Sequence, residues 1–146
     1  MAQVVPANRA QLYREVEQVM GRVPEWMTKM PDEIVPHFWG MFRSFDLGET
    51  KIPNKYKELM GLAVSGATRC KYCTLFHTEA ARLFGATDEE IAEAAAMGGL
   101  TMMASTFINA EQLDFEAFKK EVKDIVKYVR EQQAKQPQAQ AQARPH

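Results

Sequence analysis

Two cysteines, a histidine and a glutamate are the residues through which this chain could do chemistry. Cys70 and Cys73 are its only cysteines, three positions apart. If the segment after Arg69 is helical, three steps of about 1.5 Å put their Cα atoms roughly 5 Å apart on one face, within disulfide reach. His77 lies four positions past Cys73 and seven past Cys70, so it shares that face. Thiolate rather than thiol attacks an oxidant, and two features favour thiolate here. One is the positive end of a helix beginning near Cys70; the other is the His77 base a turn beyond Cys73. Once one sulfur is oxidised to sulfenic acid, the other condenses with it and releases water. That is the logic of a peroxidase needing no haem, flavin or metal. Helix-start exposure favours Cys70 as the attacker and proximity to the base favours Cys73; spacing leaves both open.

A base of this kind is oriented by a third group, and Glu58 is the best carboxylate available. It stands at the head of 59–67, a run without charge and apolar around its circumference. Such a run predicts a helix buried on all sides. A carboxylate leading into it needs a partner or a raised pKa, because desolvation disfavours its charge. The alternative is an exposed first-turn glutamate that complements the helix dipole.

The surrounding elements read as helices. Asn8 can cap a first one carrying Leu12, Val16, Val19 and Met20, closed by Gly21 and Pro24. A short turn over 25–30 is expected to point Trp26 and Met27 inward. Ile34, Phe38, Trp39, Phe42 and Phe45 make an aromatic stripe whose helix starts or bends at Pro36 and ends at Gly48. His37 reads as a surface or packing residue. Residues 51–57 form a polar lead-in with Pro53 at a helix's first turn. After the cysteine helix, Gly85 is a stop, and Thr87 with Glu90 is a capping box opening the next helix. Gly98-Gly99 is expected to interrupt that helix before an apolar stretch, 100–113, suited to packing against neighbours, some of them in another subunit. Asp114 caps a last helix with the stripe Phe115, Phe118, Val122, Ile125, Val126 and Val129 opposite a solvated face of lysines.

No segment alternates with period two, so the class is all-α with six or seven helices, and a thioredoxin-type βαβ setting for the cysteines is absent. One helical domain is expected over 1–135, with 136–146, QPQAQAQARPH, as a disordered tail. A net charge of −1 gives no reason to expect nucleic acid or an anionic membrane as partner. No apolar run approaches the roughly 20 residues that a membrane span needs. The N-terminus lacks the pattern of a secretory signal, so a cytoplasmic location is the expectation. There a lone C-x-x-C is reactive or metal-binding rather than a permanent staple.

At this spacing, Glu58, Cys70, Cys73 and His77 resemble the E-x11-C-x2-C-x3-H signature of AhpD-like alkylhydroperoxidases in the carboxymuconolactone decarboxylase family. The likeness covers roughly 51–97, including LAVSGA before the cysteines and DEEIAEA after Gly85. It implies an AhpD-like helical fold assembled as a homotrimer or homohexamer. It implies a hydroperoxide substrate and an external dithiol reductant, thioredoxin-like or a lipoyl protein. It further implies that Cys73 meets the peroxide, Cys70 resolves it, and Glu58 and His77 relay the proton. AhpD carries a histidine directly before its second cysteine; here Tyr72 stands there, which implies a shorter or differently wired relay. The decarboxylase branch lacks the cysteine pair, which argues against lactone decarboxylation.

Two other classes use the same residues. Two thiolates, an imidazole and a carboxylate could bind zinc, although three of the four would then share one short helix. A non-catalytic module, sensing redox state or exchanging disulfides, would use the cysteine pair alone.

Overall fold

Helix ends in this chain are written locally and they fold as written. The Asn8 side chain accepts the Gln11 amide at 2.9 Å and starts α1 (Arg9–Met20), and Gly21, at φ 75°, ends it. The Thr87 hydroxyl and Glu90 carboxylate bond each other's amides at 3.2 and 2.9 Å and start α6 (Asp88–Ala110). The Asp114 carboxylate accepts the Ala117 amide at 2.7 Å and starts α7 (Phe115–Lys135). Between them lie α2 (Glu25–Thr28), α3 (Val35–Met41), a π-helical turn over Phe42–Asp46, α4 (Asn54–Ala67) and α5 (Lys71–Leu83). The computed structural model describes residues 8–135, and its regular structure is helical throughout, in agreement with the all-α expectation. The expected disordered tail at 136–146 and most of the N-terminal stretch read for a signal lie outside the described residues.

The chain divides into two compact units, one ending at Gly99 and one beginning at Leu100. In the first, Leu12, Val16, Met27, Val35 and Trp39 are completely or almost completely buried together, with Phe38 and Phe42 packed around them. Pro36 falls in the first turn of α3, so the helix starts at that proline rather than bending there. Trp26 is half exposed, against expectation, because its ring leans edge-on to Phe38 at 5.3 Å instead of entering the core. Ile34 and Phe45 also leave the expected stripe and face outward. The π turn is the cause for Phe45, since an extra residue per turn rotates later side chains off the buried face.

α4 and α5 form the most closely packed helix pair. Lys57, Glu58, Leu62 and Ser65 define the buried face of α4. Met60 and Val64 are exposed, so this helix has one covered face, and the expectation of burial on all sides does not hold within one chain.

The expected break at Gly98-Gly99 does not occur: α6 runs through both. A Cβ on Gly98 would lie 2.8 Å from the Ala63 carbonyl oxygen, so the bare backbone permits α6 to approach α4 closely. By length and composition alone, α6 is the one described helix apolar enough to cross a membrane, a feature the sequence reading missed because the run is punctuated by the two glycines. In the second unit, Leu100, Met103 and Phe107 of α6 and Ile125, Val126 and Val129 of α7 are exposed. The stripe foreseen on α7 exists, but within one chain it is uncovered.

The two glycines are expected to respond oppositely to alanine. Gly98→Ala meets backbone that cannot yield and should cost about 1–3 kcal/mol. Gly99 has nothing within 4 Å, and Gly99→Ala should gain about 0.5–1 kcal/mol of helix stability. Urea unfolding of both variants measures the difference.

Candidate functional site

The turn between α4 and α5 presents the cysteines. Arg69 adopts the left-handed conformation at φ 58°, the Arg69 amide donates to the Gly66 carbonyl, and the Cys70 amide donates to the Ser65 carbonyl at 2.9 Å. This pairing closes the C-terminus of α4. Cys70 is at the same time the N-cap of α5, its Sγ accepting the Cys73 amide at 3.2 Å. One residue therefore ends one helix with its backbone and begins the next with its side chain. Cys70 and Cys73 are joined as a disulfide with Cα atoms 5.3 Å apart, close to the spacing expected for a helix start.

His77 lies one turn beyond Cys73 on α5, and its Nδ1 is 2.7 Å from Oε2 of Glu58 on α4. Glu58 is fully buried. The structure thus brings Glu58 to His77, and Cys70 to Cys73, with the two pairs linked by the turn of helix from Cys73 to His77. The alternative of an exposed first-turn glutamate is excluded by its burial. Desolvation pushes the Glu58 carboxyl above its ordinary pKa, and the hydrogen bond from His77 partly offsets that rise. With Nδ1 held by the carboxylate, Nε2 is the nitrogen left to exchange a proton.

Two further features hold the imidazole. A Cβ at Gly61 would lie 2.5 to 2.7 Å from three atoms of the His77 ring, so glycine supplies the space the ring occupies. A run of aromatic contacts links the ring to the core: Phe76 meets His77 edge-on at 5.2 Å, Phe42 meets Phe76 at 5.7 Å, and Phe38 stacks on Phe42 at 5.6 Å. Lys57, read from sequence as part of a polar lead-in, is buried, donating from Nζ to the carbonyls of Phe45 and Gly48 at 2.5 and 2.6 Å. Nothing in the sequence marked Lys57. Gly61 had one available signal, a glycine three positions beyond the carboxylate inside an otherwise apolar helix. Tyr72 is exposed, its ring under the Lys71 ammonium at 5.1 Å, so it packs on its neighbour. Among the described residues, no three His, Cys, Asp or Glu side chains are gathered closely enough to hold a metal ion.

The family model for "Carboxymuconolactone decarboxylase family" matches residues 34–108, about half of the chain and wider than the stretch legible by motif. The chain is an AhpD-like member of that family. A crystal structure of the alkylhydroperoxidase AhpD core from Rhodospirillum rubrum matches with a TM-score of 0.64 and 26% identity, covering 81% of this chain and 97% of that one. A crystal structure of a Methanobacterium thermoautotrophicum protein matches with a TM-score of 0.52 and 34% identity, covering 60% and 97% respectively. A comparison with curated proteins gives no match. The family and the helical fold agree with what the four-residue pattern implied.

Gly61→Ala is expected to expel the His77 ring from its position against Glu58. The downfield Nδ1–H proton resonance should disappear, and the buried carboxylate, left unpaired, should lower stability by about 1–3 kcal/mol. Proton NMR and thermal unfolding, with helix content followed by circular dichroism, check both outcomes.

Proposed function

We propose that this protein is a thiol-dependent peroxidase that reduces hydroperoxides through a Cys70/Cys73 dithiol–disulfide cycle. The observation that carries the reading is the buried Glu58 bonded to His77 one helical turn from a bonded cysteine pair. His77 takes the Cys73 proton at Nε2, and Glu58 steadies the imidazolium. The Cys73 thiolate attacks the terminal peroxide oxygen. The S–O bond forms as the O–O bond breaks, and the departing alkoxide takes the proton from His77. Cys70 then attacks the sulfenic acid on Cys73, expelling the hydroxyl as water and forming the disulfide. The Cys73 amide aimed at Cys70 Sγ supports thiolate character on that resolving sulfur. An external dithiol, from a thioredoxin-like or lipoyl protein, returns both thiols.

A reducing compartment suits a disulfide that must reopen, and the cytoplasmic location belongs to this proposal. So does assembly. The exposed apolar side chains of α6 and α7 make a face larger than scattered surface residues would, and a homotrimer or homohexamer would cover it. Light scattering after size exclusion should give a multiple of the 16.6 kDa chain.

Peroxide consumption with dithiothreitol present tests the activity. The wild type should turn over many equivalents, whereas a redox sensor would stop near one per chain. Cys73→Ser should abolish the first reaction, and Cys70→Ser should leave a dimedone-reactive sulfenic acid at Cys73. His77→Ala and Glu58→Gln should slow the reaction by about 10²–10⁴-fold, the usual worth of a general base. Because burial raises the Glu58 pKa, its carboxylate form is lost as pH falls through a value above the ordinary range near about 4.3. The rate should therefore fall on the acid side at a higher pH than an exposed glutamate would give, and Glu58→Gln should remove that limb.

A further inference from the structure

Beside the disulfide lies a groove of about 630 Å³ that the mechanism above leaves unused. Its near end is built from neighbours of the cysteines: Arg69 and Lys71 on either side of Cys70, and Thr74 directly after Cys73. It then follows α5 past Leu75 and Thr78 to Arg82. Thr74, Thr78 and Arg82 recur every four positions and share one face of the helix, whereas Cys73 and His77, also four apart, share another. Charge is uneven along the groove. Arg82 at the far end is committed to Glu79 at 2.9 Å and to Asp88 at 3.0 Å. Arg69 and Lys71 are exposed and have no ion-pair partner among the described residues. The Lys71 ammonium rests over the Tyr72 ring at 5.1 Å, a contact that holds it beside the helix start without cancelling its charge.

We propose that this groove docks the reductant, and that the reductant is a dithiol protein with acidic residues flanking its reactive cysteine. The inference deepens the peroxidase reading and rests on it for the purpose of the reduction, while docking itself can be measured without any peroxide.

From Lys71 to Arg82 the helix rises about 16 Å, the span of about five extended residues. A short strand on one side of the partner's cysteine fits that length. Its acids meet the uncompensated charges of Arg69 and Lys71, its apolar contact is the exposed Leu75, and Glu79 repels an acid placed at the far end. The gradient of charge sets the direction in which the strand lies and brings the partner's sulfur to the Cys70 end. A hydroperoxide must instead reach Cys73 on the face that carries His77. The partner's thiolate bonds to Cys70 Sγ, the Cys70–Cys73 bond breaks, and Cys73 leaves as a thiolate one turn from His77. The partner's second thiol gives up its proton, which passes to Cys73, and closes on the first sulfur, so that Cys70 leaves as a thiolate beside the two cations. Two electrons have then passed: the partner ends as the disulfide and this chain as the dithiol.

The test uses the oxidised full-length protein and a pair of synthetic C-x-x-C dithiol peptides, one flanked by glutamates and the other by lysines. Reduction is followed by acid quench, maleimide labelling and mass. Each peptide's rate is divided by its rate toward hydroxyethyl disulfide, an uncharged reference that removes differences in thiol reactivity. The wild type should prefer the glutamate peptide by about tenfold at low salt, the lower end of electrostatic steering, and the preference should fade as salt rises. Arg69→Gln combined with Lys71→Gln should abolish the preference, while Lys123→Gln combined with Lys127→Gln, the same charge change on α7, should keep it. Equal rates with both peptides, the result if a second copy of the chain fills the groove, overturn the proposal. A folded Arg69→Gln, Lys71→Gln protein that keeps the preference overturns it too. So does one that is slowed only toward dihydrolipoamide, which would assign the groove to a neutral lipoyl arm. If that variant fails to fold, the wild type decides: a preference that salt does not weaken overturns the proposal. A protein that shows the preference yet consumes no peroxide would sink the peroxidase reading and leave the docking site standing.

Discussion

The hydrogen bond between a fully buried Glu58 and His77 is the constraint around which the first unit is arranged. A carboxylate with no access to water is tolerated only when something compensates its desolvation, and a single imidazole nitrogen at 2.7 Å does so for one of its two oxygens. Everything that fixes that nitrogen therefore bears on stability as well as chemistry. The bare Cα of Gly61 gives the ring its room, Phe76 meets its edge, and Phe42 and Phe38 tie Phe76 to the core around Trp39. The route from core packing to reactive group is short and made of rings, which move less freely than aliphatic chains.

The same arrangement explains why α4 and α5 are the most closely packed pair. α4 brings the carboxylate on its inner face, α5 brings the imidazole and one thiol, and the turn between them holds the other thiol. Gly98 lets α6 close on α4 at Ala63. Small residues are used where backbones approach, and large aromatic ones where a polar ring must be kept still.

Much of this was legible from residue types and spacing, because the governing interactions are local. Asn8, the Thr87–Glu90 box, Asp114, Gly21 and Gly85 mark helix ends by short-range bonds or backbone freedom. The four-residue pattern survives because three of its members share a turn and a helix. The rest depended on contacts distant in sequence. Gly98-Gly99 read as a break since propensity cannot reveal that Ala63 needs the space. Lys57 read as solvated since its carbonyl partners lie within and just after a π turn that periodicity does not anticipate. The same turn carries Phe45 outward. Full burial of 59–67 was expected from composition, which records apolar character without saying whether the cover comes from the same chain.

Cys70 has a further implication through its double duty at the joint of α4 and α5. Its amide and its sulfur each hold a helix end by hydrogen bonds that do not require a covalent link between the sulfurs. The spacing of 5.3 Å between the two Cα atoms is also that of an undistorted helix start. The bridge thus sits on a joint whose two helix ends are already held by hydrogen bonds of their own.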